Sequence, residues 1–399
     1  MNIAKRMIAI VALLIATSAC CVTHEHTYLT WQDADTSTKI TVNYHVREAG
    51  HETVVYYDTK PRGGERSKYK YQAKGKAHHF QGANEERWIH SAELSGLEPG
   101  GTYYFVVGAE SEEYNKEQKF RTLPSDPNAP LRIVTGGDMG VWPMARQLME
   151  LAGKQNPDVI IIGGDIVYEN GDLSKTNWYD KWLDDTDAAL VTPDGFKIPM
   201  ILTIGNHETN KLENVDRAAK APFYYQYFPQ GGDPFFARRL GANAVLFSLD
   251  SGHTVSHEAQ VPWLREQFTK YADVKNRFAC YHVPLFPSHR DFDGSGSVAG
   301  RTYWQPLFDE FRLTAAFENH DHTFKRTKLL RGGEVHPEGT LYIGDGCMGV
   351  PPREIKNADK WYMEKASSTF HFWVIDVSAE KTTYTAINDS GTAFDKYPG

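Results

Sequence analysis

Five short stretches hold the residues whose types and order suggest chemistry. They are Gly137-Asp138-Met139-Gly140, Gly164-Asp165-Ile166-Val167-Tyr168, Gly205-Asn206-His207-Glu208, Tyr281-His282-Val283-Pro284 and Asn319-His320-Asp321-His322. Each lies at the end of an apolar run that reads as a strand: residues 131–135, 159–162, 200–204, 277–281 and 314–317. In α/β sheets, ligands bind beyond the carboxyl ends of the strands. Glycine beside an acid permits tight turns and close backbone approach. Two aspartates, one asparagine, three histidines and one tyrosine are therefore expected on a single rim. Carboxylate, amide and phenolate oxygens suit Fe(III), Mn or Mg, and imidazole suits Zn and Fe. A carboxylate shared by two such ions holds them ~3.5–4 Å apart, a separation that clamps a phosphoryl group from both sides. Singly the stretches say little, since Gly-Asp commonly marks a turn and His282 reads equally well as a loop histidine. Their force is that five of them occur in order, each at a strand end.

Two textures of sequence must position this rim. Over residues 24–123 the chain reads as short alternating strands broken by turn formers such as Pro61-Arg62-Gly63-Gly64 and Pro99-Gly100-Gly101. Several short strands without a helical stretch predict an all-β sandwich. The segment from Gly96 to Tyr104 resembles the loop-into-strand segment of fibronectin type III domains. Three prolines within residues 124–130 read as a stiff linker. From 131 to 399 strands alternate with helical spacing, at residues 142–155, 178–190, 260–271 and 303–311. That alternation predicts an α/β domain of βα units with a sheet covered on both faces. Strands return after residue 340, with a hairpin-like pair near 370–377 and 382–387.

Composition sets outer limits. The 399 residues are 41% hydrophobic and 24% charged, ordinary for a chain with a real core. Residues 1–20 read as a secretory signal: Lys5 and Arg6, an apolar run too short to span a bilayer, then Thr17, Ser18 and Ala19. Cys20 or Cys21 resembles a lipoprotein cleavage site, although Thr17 stands where leucine is usual. The expectation is an exported protein, periplasmic, extracellular or lipid-anchored at the cell envelope, with no membrane contact except through such an anchor. The net charge of −8 disfavours nucleic acid as a partner. Cys280 and Cys347 remain after the leader, to be either one bridge or two buried thiols.

The ordered motifs Gly137-Asp138, Gly164-Asp165-x-x-Tyr168, Gly205-Asn206-His207-Glu208, His282 and His320-x-His322 resemble the purple acid phosphatases, a branch of the metallophosphoesterases. Tyr168, three residues after the second aspartate, separates this branch from its relatives. The resemblance covers nearly all the mature chain, since plant-type members carry a fibronectin-III-like N-terminal domain, and it implies that an α/β metallophosphoesterase domain of mixed β-sheets flanked by helices follows. It implies Asp138, Tyr168 and His322 as ligands of a ferric ion. It implies Asn206, His282 and His320 as ligands of a divalent ion (Zn, Fe or Mn), with Asp165 bridging the two. His207 resembles the histidine that touches phosphate or protonates the leaving group, and His289 is the nearest candidate for a further one. Asn319 replaces the family's usual glycine, and asparagine tolerates the left-handed turn expected there. The implied activity is hydrolysis of small-molecule phosphate monoesters by in-line attack of a metal-bound hydroxide. Two alternatives stay open: a phosphodiesterase on the same metals, and a surface binding protein with a vestigial metal site.

Overall fold

The protein is described by a computed structural model over residues 23–108 and 116–398. The expected leader over 1–20, with Cys20 and Cys21, lies outside the described residues.

The N-terminal region folds into two antiparallel four-stranded sheets. One runs in the order Glu25–Thr30, Lys39–Val46, Glu86–Ser95, Lys76–Gln81. The other runs Tyr71–Lys74, Val54–Asp58, Thr102–Val107, Gln118–Arg121. Alternate residues Ile40, Val42, Tyr44 and Val46 turn inward to meet Val55, Tyr57, Phe105 and Phe120. Alternation of this kind puts every second side chain into the space between the two sheets. Tyr71–Lys74 and Lys76–Gln81 are too exposed and polar to be read as strands from sequence. Tyr28, Phe80 and Ile89, from the opposite face, pack with the helices Thr176–Ala189 and Pro222–Tyr227 of the following domain. There Arg87, fully buried, donates to Asp180 Oδ2 at 3.0 Å.

Beyond the prolines lie two mixed sheets flanked by helices, the arrangement the family resemblance implies, where the alternating strand and helix pattern by itself gave one sheet covered on both faces. A six-stranded sheet runs Met200–Leu202, Val159–Ile162, Leu131–Gly136, His371–Val377, Thr382–Asn388, Ala393–Tyr397. Its first three strands are parallel, as βα units demand. The eight-stranded sheet has Ala244–Ser248, Asn276–Cys280, Ala315–Phe317 and Thr340–Gly344 as its parallel centre. Ile133, Val159, Ile161 and Ile201 of one sheet share a core with Phe278, Phe317 and Ile343 of the other. The alternate residues Val134, Ile160, Ile162 and Leu202 face helices Pro143–Gly153 and Thr176–Ala189. The layers are thus helix, sheet, sheet, helix. Both faces of each strand are apolar in either arrangement, so the pattern alone did not tell helix cover from sheet cover.

Helix Ser295–Tyr303 has no apolar stripe in sequence because glycines occupy its packing face. A Cβ at Gly300 would fall 2.5 Å from Leu285 Cδ1. Cys280 and Cys347 are buried free thiols, which closes the alternative of a bridge between them.

Candidate metal centre

The loops leaving the strand ends are stitched to one another before any side chain is considered. The N–H of Asp138 donates to Gly164 O, and that of Met139 to Asp165 O, both at 3.0 Å. The backbone there is held in a conformation L-residues avoid. Asp138, Asp165, Tyr168, His320 and His322 all have positive φ, between 53° and 77°. Such residues persist only where surrounding structure over-determines them, and they cluster at functional sites. Asn319 is not among the left-handed residues; that role falls to His320 and His322 on either side of Asp321. Asn319 instead donates its amide to Tyr281 O at 3.0 Å and fills the space that the missing side chain of Gly163 leaves. The expected turn therefore exists, displaced by one residue.

All seven side chains expected on the rim meet. Tyr168 Oη lies 3.1 Å from both Asp138 Oδ1 and His322 Nε2, and these last two are 3.0 Å apart. On the other side, His282 Nε2 lies 3.1 Å from Asn206 Oδ1, 3.0 Å from His320 Nδ1 and 3.2 Å from Asp165 Oδ2. Nδ1 of His282 is 2.9 Å from the carbonyl of Gly163, which can only accept, so Nε2 is the atom offered to the centre. The N–H of His320 donates to Asp138 Oδ2 at 2.8 Å, tying the last loop to the first.

A metal pair fits this donor set. Asp165 belongs to two groups, one with His282 and His320, the other with Asp138 and His322. In each group the ligand atoms lie within 4.8 Å of one another. Asp165 Oδ2 is buried and faces the imidazole nitrogens of His282 at 3.2 Å and His207 at 3.8 Å. A buried carboxylate is costly unless a cation meets it. The titration tendencies agree. Burial alone would lower the proton affinity of His282, but Asp165 and Asp138 outweigh it and push the imidazole up to about 9. Burial raises the Tyr168 phenol, and the carboxylates of Asp138 and Asp165 raise it further. Negative charge concentrated in this way calls for cations.

His207 stands beside the centre. Its ring packs on Tyr168 with centroids 4.2 Å apart, and its Nε2 is 3.8 Å from Asp165 Oδ2. Asn170 Oδ1 lies 2.6 Å from its Nδ1 and fixes the ring. His289 makes a different contact: its Nδ1 is 2.8 Å from the carbonyl of Glu354, on a neighbouring loop. Two residues without an assigned role in the sequence reading also belong here. Glu208 is buried and accepts the N–H groups of Asp165, Ile166 and Gly205. His253 sets its ring edge-on to His282 at 5.7 Å, with Nε2 buried and unpartnered. Nothing in the local sequence marks His253, because a long loop after strand Ala244–Ser248 carries it in.

Comparison with known proteins follows the same division. The family described as "Purple acid Phosphatase, N-terminal domain" matches residues 24–122, and that described as "Calcineurin-like phosphoesterase" matches 125–324. Purple acid phosphatase 21 of Arabidopsis thaliana is 24% identical over 273 residues, covering 65% of this chain and 58% of that protein. Probable purple acid phosphatase 20 of the same plant is 25% identical over 294 residues, covering 70% and 66%. The matched segments thus span less than two thirds of those relatives. Purple acid phosphatase PPD1 from yellow lupin (Lupinus luteus) seeds has a similar structure, with a TM-score of 0.79 at 16% identity, covering 94% of this chain and 74% of that one. PhoD gives 0.67 at 11% identity, covering 94% and 93%. Two adjoining family matches over residues 24–122 and 125–324, on a fold shared across 94% of the chain, place this protein in the purple acid phosphatase family.

Proposed function

We propose that the protein is an exported, metal-dependent phosphomonoesterase acting on small-molecule phosphate esters. In this reading Asp138, Tyr168 and His322 would hold a ferric ion, and Asn206, His282 and His320 would hold a divalent ion (Zn, Fe or Mn), with Asp165 shared between the two groups. When bound, the pair supplies an activated water and Lewis-acid stabilisation of charge on the phosphoryl oxygens. The carrying observation is that two ligand groups share the one carboxylate of Asp165.

The chain's own residues do the rest. Asp138, Asp165 and the Tyr168 phenolate would bring three negative charges to a ferric–divalent pair, which leaves the centre net positive toward a phosphate dianion. His207, fixed by Asn170 and half-open to solvent, is placed to hand a proton to the departing alkoxide. His289 is a further candidate for the rim, and its Nδ1 is engaged by Glu354. Within this reading residues 1–20 are a signal peptide, 24–123 a fibronectin-III-like sandwich, 124–130 a linker and 131–399 the phosphoesterase domain.

Metal analysis and turnover of p-nitrophenyl phosphate test the proposal. Wild type should carry two metals and turn over the ester, and Asp165→Asn should do neither. Equal turnover in both proteins would end it. If iron sits beside Tyr168, Tyr168→Phe should remove a visible ligand-to-metal absorption band.

A further inference from the structure

The loop after strand Ala244–Ser248 is tied at many points, and it presents one side chain that the proposed reaction leaves without a task. Asp250 is fully buried and accepts the N–H groups of His253, Thr254 and Val255 at 2.7–2.8 Å, with the Thr254 hydroxyl at 2.7 Å. Gln260, also fully buried, closes the loop from its far end. Its Oε1 accepts the Asp250 N–H, and its Nε2 donates to the carbonyls of Asp250, Val255 and Ser256. Ser251 Oγ accepts the N–H of Val283, the residue after His282, at 3.0 Å. The Thr254 hydroxyl meets Tyr225 Oη at 3.0 Å.

This frame fixes His253 beside the metal ligands. Its ring stands edge-on to His282, with centroids 5.7 Å apart. His282 is the imidazole that gathers Asn206, His320 and Asp165, so His253 lies on the side that would hold the divalent ion. His207 packs on Tyr168 instead, on the side of the other ion.

Nε2 of His253 is buried and makes no hydrogen bond among the described residues. A buried polar atom without a partner is costly, so a frame that holds one in place works against stability until something arrives to pair with it. Were the ring there only to fill space, a phenyl group would serve better, since it brings no nitrogen to be left unpaired. Direct ligation does not fit either. The ligand group on this side is Asp165, His282 and His320, and His253 is outside it. It is placed to meet what an ion carries rather than the ion. A neutral imidazole offers one N–H, and anionic oxygens are the strongest acceptors for it.

We propose that His253 is a substrate-binding residue, whose Nε2–H donates to an oxygen of the phosphoryl group on the divalent side of the centre. This rests on the phosphatase reading above. No bond forms or breaks at His253; its contribution is binding.

The test compares wild type, His253→Phe and His253→Gln, each loaded with metal. Calorimetry follows inorganic phosphate, metal analysis counts the ions, and p-nitrophenyl phosphate reports turnover. His253→Phe keeps a ring and loses the donor, so phosphate affinity should fall about tenfold with both ions retained. KM for the ester should rise by a similar factor while kcat holds. His253→Gln keeps an N–H near the place of Nε2 and should bind phosphate within about threefold of wild type. If His253→Phe binds phosphate as tightly as wild type, or His253→Gln binds as weakly as His253→Phe, the ring only packs against His282 and the proposal is overturned. Loss of an ion in His253→Phe would make the ring a brace for His282 and overturn it as well. Should the variants not fold, diffraction from wild-type crystals soaked in metal and phosphate decides. A phosphate oxygen within about 3.2 Å of Nε2 supports the contact, and none within about 4 Å overturns it. Wild type that binds phosphate through His253 without turning over the ester would sink the phosphatase reading and leave the contact standing.

Discussion

The carboxylate of Glu208 accepts the backbone N–H of Asp165 at 2.8 Å, and Asp165 in turn accepts the N–H of His207 at 2.8 Å. The third motif therefore builds the second: Glu208 sets the backbone on which the shared carboxylate sits. Glu208 also takes the N–H groups of Ile166 and Gly205. Glu208→Ala leaves these buried donors unpaired. Metal affinity should fall about 10–100-fold, the scale seen when groups behind a ligand are removed. Competition with a coloured chelator measures it; unchanged affinity would show that the Asp165 loop holds its shape without Glu208.

Metal uptake should be steeply dependent on pH. In the metal-free protein His282 keeps its proton up to about 9, because Asp165 and Asp138 outweigh burial, and burial with those carboxylates keeps Tyr168 protonated. Both must be deprotonated to serve as ligands. Below pH 9 each such proton competes with metal, so affinity rises about tenfold per pH unit per proton. Calorimetry in buffers of different ionisation enthalpy should find about one fewer proton released near pH 7 in Tyr168→Phe than in wild type.

With His207 as the proton donor of the proposed reaction, its titration sets the direction of the activity profile. Burial holds its imidazole below the ordinary value of 6.5, with Asp165 opposing. Proton donation needs the charged form, which exists below the pKa and is lost as pH rises through it. kcat/KM should therefore decline with rising pH at a value under 6.5. His207→Gln should remove that limb and lower kcat about 10²-fold on alkyl phosphates, with a smaller loss on p-nitrophenyl phosphate. A profile that keeps the limb in His207→Gln assigns the proton to another group.

Beneath the His322 loop lies a buried cation. Lys325 Nζ pairs with Glu318 and, at 2.6 Å, with Asp345, all with side chains 0% exposed. Asp345 also takes the Ser288 hydroxyl at 2.6 Å, and its carbonyl takes the His322 N–H. Lys325→Met strands two buried carboxylates, which costs about 3–5 kcal/mol. Guanidinium unfolding of the metal-free protein measures the loss, and a change under about 1 kcal/mol would mean the acids are neutral.

The rim was legible because its residues are short-range signals: each sits one to six residues after a strand, and Asp138, Asp165 and Asn206 each follow a glycine. Strands such as Val159–Ile162 and Leu131–Gly136 were legible for the same reason, as dense apolar runs with clear ends. The doubling of the sheet was carried by the family resemblance and not by the pattern of the strands themselves. Ile161 packs on the second sheet and Ile160 on helices, and both are isoleucine. The polar strands Tyr71–Lys74 and Lys76–Gln81 and the glycine-spaced helix Ser295–Tyr303 owe their form to neighbours, so local text could not announce them. His253 and Arg353 reach the centre on loops distant in sequence, with no motif of their own.

The most direct measurement is anomalous diffraction from metal-loaded crystals, recorded at the iron and zinc edges. The account predicts two peaks ~3.5–4 Å apart, one on either side of Asp165, the first against Tyr168 and the second against His282. A single peak, or peaks that leave Asp165 without a metal, would contradict it.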